Sequence, residues 1–136
     1  MQEEEKIGRE TALRKWFEDF QVCIRAVDFE GAKPLFDPNV VGFGTFQSMV
    51  VGLDTLAALQ WGNVWPKIRD FTFRLDELTV DGEGRVAWAA CPWDSVGFEA
   101  DGTPFSRPGR VTVGFRRQDN DVWLATHTHF SLYPRP

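Results

Sequence analysis

At 136 residues the chain suits one domain with a real core and is too short for two. Hydrophobic residues make up 43% and aromatics 14%, with 6 Trp and 12 Phe, so global disorder is excluded. A net charge of -5 repels phosphate backbones and anionic membrane surfaces, which argues against nucleic-acid and membrane partners.

The start, Met1 to Lys6, is acidic and has no apolar run behind it. Neither a signal peptide nor a membrane anchor is expected, residues 1–7 read as a flexible acidic terminus, and the cytoplasm is the expected location. The two cysteines, Cys23 in a predicted helix and Cys91 in a predicted strand, have the spacing of neither a metal nor a redox motif and are expected to be reduced and buried.

From Gly8 to Asp28 the residues Leu13, Trp16, Phe17, Phe20, Ile24 and Val27 recur at three- and four-residue spacing, which predicts a long amphipathic helix. Asp28 can cap a second, shorter helix running to about Phe36, and Asp37-Pro38-Asn39 then ends it. Val40 to Phe46 and Gln47 to Val51 read as two short strands. Asp54 stands where an N-cap belongs, and Leu56, Leu59, Trp61 and Trp65 continue into a third helix closed by Pro66.

From Phe71 onward the pattern turns extended: Phe71 to Val80, Arg85 to Phe98, Phe105 to Arg117 and Val122 to Tyr133, separated by Asp81-Gly82-Glu83-Gly84, Asp101-Gly102 and Gln118-Asp119-Asn120-Asp121. This predicts a meander of four long strands. Alternate residues face opposite sides, and both sides carry bulky apolar groups: Val122, Leu124 and Phe130 on one, Trp123, Ala125 and Tyr133 on the other. The three helices can cover one face, and a second copy of the chain is the expected cover for the other, giving a homodimer or a larger ring.

Several segments carry a family resemblance: Asp28-Phe29-Glu30 followed by Phe36-Asp37-Pro38, Val51-Gly52-Leu53-Asp54, Arg110-Val111-Thr112-Val113, and the ending from Trp123 through His127-Thr128-His129-Phe130-Ser131. With the element order, they resemble the nuclear transport factor 2-like superfamily over nearly the whole chain, and within it the SnoaL-like group that includes the association domain of calcium/calmodulin-dependent protein kinase II. The resemblance implies an α+β fold of the cystatin-like, ketosteroid isomerase-like kind: a curved antiparallel sheet forming a half-barrel cone on three N-terminal helices, with a ligand-accepting mouth and dimerisation through the sheet. It does not imply one chemistry, so function has to come from the site.

His127 and His129 are the only histidines and lie two apart on one strand, hence on one face together with Trp123. They read either as a pocket pair that moves protons near neutral pH or as hydrogen-bonded core or interface residues. As metal ligands they need a third group, for which Asp94 is the candidate; no metal and no cofactor is expected. Asp94, between Trp93 and Ser95 in an otherwise apolar strand, reads either as a general acid or base raised by burial or as a bland residue, the partner of an arginine or a solvated side chain at a bulge beside Pro92. Arg110 stands where the resembling association domain carries a pocket arginine, and Arg107 is near enough to share that role; the other reading puts them on a solvated rim. Trp61, Trp65, Trp88, Trp93, Phe43, Phe46 and Phe130 supply aromatic walls, with Trp65 and Phe130 the preferred lining.

The resemblance also has a gap: the position of the catalytic Asp in ketosteroid isomerase falls near Phe43, and that of its oxyanion-hole Asp within Arg110 to Phe115, neither of which carries an acid. The expected function is therefore a SnoaL-like pocket protein binding a small organic carboxylate or carbonyl ligand, with isomerase-, cyclase- or hydratase-type proton transfer open to it. The alternative is a non-catalytic association module.

Overall fold

The computed structural model describes residues 2–45 and 48–134. Phe46 and Gln47, where the two short predicted strands meet and one wall aromatic belongs, lie outside the described residues. The elements are α1 (Gln2–Ala26), α2 (Phe29–Ala32), β1 (Phe36–Phe43), β2 (Met49–Val51), α3 (Leu53–Leu56), α4 (Gly62–Val64), β3 (Arg69–Phe73), β4 (Thr79–Glu83), β5 (Val86–Phe98), β6 (Pro104–Ser106), β7 (Gly109–Arg117) and β8 (Trp123–Leu132).

Helix α1 buries Leu13, Trp16, Phe17, Phe20 and Ile24 of the expected stripe, whereas Val27 lies beyond its end and is exposed. It begins at Gln2, so the acidic start read as flexible is its first turn, where Glu3, Glu4 and Glu5 favour the positive end of the helix dipole. The helix closes through the Val27 amide on Ile24 (3.2 Å) and the Asp28 amide on Cys23 (2.9 Å), a Schellman-type ending that puts Val27 at a φ of 53°. Asp28 caps α2 as expected, its Oδ1 accepting from the Gly31 amide at 2.9 Å. That helix stops at Ala32, and after a 3-10 turn at Lys33–Leu35 the residues Asp37, Pro38 and Asn39, expected to end a helix, lie in β1. Proline is tolerated there because the ladder between β1 and β8 is interrupted between Phe36 and Val41.

The third helical region also departs from expectation. Its cap falls at Gly52 instead of Asp54, whose carboxylate pairs with Lys33 at 3.3 Å. Between α3 and α4 the chain makes a π-helical turn over Ala57–Trp61, which buries Gln60 and Trp61 side by side and leaves Leu59 exposed. A 3-10 turn at Trp65–Lys67 holds Pro66.

The strands form one open, curved sheet in the order β2-β1-β8-β7-β5-β3, with β4 and β6 also on β5. The fold is α+β as expected, but β1 and β8 pair parallel within the otherwise antiparallel sheet, and α3 and α4 follow the first two strands. Two predicted long strands are each broken in two: the first by a 3-10 turn at Leu75–Glu77, the third around Arg107 and Pro108.

The inner face of the sheet packs on α1. Trp16 lies 5.0–5.4 Å from the rings of Phe17, Phe20, Phe36 and Phe115, mostly edge-on, and its indole N–H donates to the Leu35 carbonyl at 2.8 Å. Cys91 is buried in the same layer, its thiol pushed up to about 11 by burial, whereas Cys23 is only partly buried. Among the described residues no helix is long and apolar enough to cross a membrane.

One irregularity decides which residues reach the inside. Gly114 pairs with His127 but Phe115 pairs with Ala125, so Thr126 is an extra residue in β8. Trp123 and Ala125 are buried before this bulge, and after it the buried residue is Thr128. His127 and His129 therefore share a face with each other, as parity requires, but not with Trp123.

Asp94 points away from α1. Its carboxylate takes two hydrogen bonds from Arg74, at 2.9 and 2.8 Å, beside the backbone bond from the Arg74 amide to Pro92. The Arg74 guanidinium holds this carboxyl below its ordinary value of 3.8. Asp94 is thus the acid of an ion pair and stays ionised at neutral pH, the arginine-partner reading of its sequence context.

Two tests follow from these features. A β-branched residue in the left-handed region is strained, and Val27 is partly exposed, so Val27→Gly is expected to stabilise the fold by about 0.5–1 kcal/mol, read as a rise of a few degrees in the thermal midpoint. A carboxyl whose folded value is depressed contributes stability above its unfolded value and loses it as the pH falls through the folded one. Asp94→Asn should accordingly lower the midpoint at pH 7, with the deficit shrinking below about pH 4 and vanishing once the wild-type carboxyl is protonated; a constant deficit down to pH 2 would contradict the pairing.

Candidate functional site

Where α1, the region from Ala57 to Lys67 and the inner face of the sheet diverge, they leave a cavity of about 30 Å³. At about 10–15 Å³ per water-sized group, it holds two or three such groups, the bulk of a carboxylate. Its walls are aromatic: Phe20, Trp61, Trp65, Phe71, Trp93 and Phe130. Trp61 and Trp65 are stacked at 4.8 Å with 13° between their planes, and Trp93 lies 5.2 Å from Phe71 and 6.2 Å from Phe130.

The polar residues of the lining are Thr45, Gln60 and Arg107. Arg107 sits in the turn between β6 and β7, and the buried Ser95 of β5 holds its backbone twice: the Arg107 amide donates to the Ser95 carbonyl at 2.8 Å, and the Ser95 hydroxyl donates to the Arg107 carbonyl at 2.7 Å. From there the guanidinium reaches over the Trp93 ring, 5.7 Å to its centroid, and donates to Thr45 Oγ1 at 2.9 Å. Burial pushes its value down, and no carboxylate pairs with it among the described residues. Arginine nonetheless keeps its charge at neutral pH, so the cavity carries an unbalanced cation.

Gln60, on the π-helical turn, belongs to the lining. A Cβ on Gly44 would lie 2.4 Å from Gln60 Nε2, so glycine at that position is what leaves room for the amide. Gln60 Nε2 and Trp93 Nε1 are both buried without a hydrogen-bond partner among the described residues.

The sequence-derived candidates divide between the two faces of the sheet. Trp65, Trp93, Phe130 and Arg107 surround the cavity. Arg110 does not: it is exposed, bonds Ser131 Oγ at 3.1 Å and lies 5.1 Å from the Tyr133 ring centre. Strand alternation explains the exchange, since Gly109, Val111 and Val113 face inward and Arg110 falls between them. Phe43, His127 and His129 form a cluster on the outer face, with Phe43 5.3 and 5.0 Å from the two imidazoles and His127 Nδ1 donating to the Val41 carbonyl at 2.7 Å. Asp94 lies two strands from His129 and four residues further along, and among the described residues no group of three His, Cys, Asp or Glu could hold a metal.

Gln60 and Thr45 were not among the candidates. Gln60 had a signal, a polar residue four positions after Leu56 on an apolar stripe; Thr45 had none. Exposed Met49, Val51 and Trp88 add an apolar character to the outer face.

Comparison with known proteins agrees with this architecture. No curated protein matches the chain. Among solved structures it is similar to a nuclear transport factor 2-like superfamily protein from Salmonella enterica, with a TM-score of 0.79, 19% identity and coverage of 93% of this chain and 92% of that one. It is also similar to a ketosteroid isomerase-like protein from Erwinia carotovora atroseptica (TM-score 0.79, 14% identity, 92% and 96% covered). A third likeness is to a structure from Xanthomonas campestris described as a calcium/calmodulin-dependent protein kinase II association domain (TM-score 0.73, 15% identity, 88% and 84% covered). The model of the SnoaL-like domain matches residues 10–136, and the chain belongs to that family.

Proposed function

We propose that the protein binds a small organic molecule through a carboxylate or carbonyl group placed inside the aromatic cavity. The observation that carries this reading is Arg107, a partly buried cation with no acid beside it among the described residues, because a desolvated guanidinium gains most from an acceptor supplied by a ligand. Isomerase-, cyclase- or hydratase-type chemistry needs a general acid or base within reach of the bound molecule. Among the described residues the lining has no Asp, Glu, His, Lys or Tyr, which favours binding over proton transfer.

A second role goes with the first. The outer face combines exposed Met49 and Val51, each 59% exposed, with Trp88 and the Phe43–histidine cluster, and burial of such a face in a homodimer accounts for apolar groups there. This is the association reading, and it leaves the cavity open to ligand. We place the protein in the cytoplasm, where its free cysteines stay reduced.

Thermal-shift screening at pH 7 against a broad set of small carboxylates and keto compounds is expected to find ligands that raise the midpoint, by mass action on the native state, and Arg107→Met should abolish the rise. A silent screen, or shifts that survive Arg107→Met, would count against the cavity as a binding site. For the outer face, sedimentation is expected to give a dimer that the pair Met49→Ser and Trp88→Ser converts to a folded monomer.

A further inference from the structure

We infer that two copies of the chain meet with His127 and His129 at the centre of the shared interface, so that the dimer holds only while these imidazoles are neutral; this rests on the association role proposed above. Strand register sets the outer face out in rows. Val51, Val41, His127, Gly114 and Trp88 lie side by side across β2, β1, β8, β7 and β5, and Met49, Phe43, His129, Thr112 and Ala90 form the next row. The two imidazoles are the titrating groups of these ten positions. A sixth strand, β4, ends the rows with Asp81 and Thr79. Six strands at about 4.8 Å spacing, with about eight residues each at about 3.3 Å, give a face of roughly 750 Å², close to the about 800 Å² that each partner contributes to a standard interface.

The charged groups of this face stand at its margins. On β7 Arg110 and Arg116 flank the two rows, with Arg110 tied to Ser131 Oγ at 3.1 Å. On β1 Asp37 lies in the stretch that interrupts the ladder, and its carboxylate accepts from the Asn39 amide at 2.8 Å. On β5 Asp94 is held by Arg74, and β4 carries Asp81 and Glu83, three strands or about 14 Å from the imidazoles. Strand β2 adds no charge. In a two-fold stack that covers the face, its centre between β8 and β7 lies on the axis, so the central strands of the two copies meet and each β4 stays at the rim. Four imidazoles are desolvated together there, between the arginines of β7. His127 Nδ1 already donates to the Val41 carbonyl at 2.7 Å, which leaves Nε2 as the nitrogen that takes up a proton. Histidine changes charge between about pH 5 and 8, and burying the charged form without an acid beside it is unfavourable. Association is therefore complete above this range and weakens as the pH falls through it.

Sedimentation equilibrium of the whole chain at pH 7.5 and pH 5.5, at one ionic strength, reads the dissociation constant of the dimer. The constant is expected to be at least about tenfold larger at pH 5.5, the effect of one imidazole taken one pH unit below the ordinary histidine value, while circular dichroism stays unchanged. The double variant His127→Gln with His129→Gln is expected to remain a dimer at both values. Should that variant not fold, His129→Gln alone, at an exposed position, should reduce the change several-fold. Equal or tighter association at pH 5.5, or a pH dependence that survives these substitutions, would overturn the imidazole-centred interface and leave the association role standing. A wild-type chain that is monomeric at both values would remove both.

Discussion

The packing of α1 against the inner face of the sheet is the contact on which everything else rests. Trp16 is its centre, touching four aromatic rings from its own helix, β1 and β7 while its N–H satisfies the Leu35 carbonyl. Truncating a buried tryptophan of this kind costs about 3–5 kcal/mol, a large part of the roughly 5–15 kcal/mol that separates a folded domain from its unfolded chain. Because the sheet curves around this helix, its far end diverges from α1, and the cavity lies in that divergence. Phe20 belongs to both regions: it packs on Trp16 and Phe36 on one side and meets Trp65 and the cavity on the other.

The polar groups of the cavity are held by contacts made far away in sequence. Ser95 grips the backbone of Arg107 from β5, Gly44 makes room for the Gln60 amide, and Gly109 lets the Trp93 ring lie flat on β7, since a Cβ there would come within 2.3 Å of the indole. Each arrangement costs something the fold elsewhere offsets. Leaving Gln60 Nε2 and Trp93 Nε1 buried and unpaired among the described residues is unfavourable by about 1–3 kcal/mol apiece.

Much of the architecture was legible in the sequence because it depends on local periodicity. The stripe Leu13–Ile24, the Asp28 cap and the extended stretches that become β5, β7 and β8 all follow from spacing alone. The α+β class and the family followed from those elements and from the ending around His127 and His129. What could not be read depended on distant partners. Arg107 and Arg110 differ by three residues, and only pairing with β5 determines that one turns inward and the other outward. Asp94 is taken by Arg74, which no spacing rule connects to it. The interrupted ladder that admits Pro38 and the parallel pairing of β1 with β8 are likewise properties of the assembled sheet.

Thr126 bears on how this chain is set beside its relatives. In a strand of unbroken alternation, the three residues between Trp123 and His127 would put the tryptophan and both imidazoles on the same surface. Here one unpaired residue shifts the phase, so the imidazoles stand outside while Phe130 turns in. Two family members aligned without gaps, sharing identical letters in these columns, would carry their histidines on opposite sides of the sheet if only one of them has the bulge. An inherited letter then says nothing about an inherited role until the backbone phase has been checked.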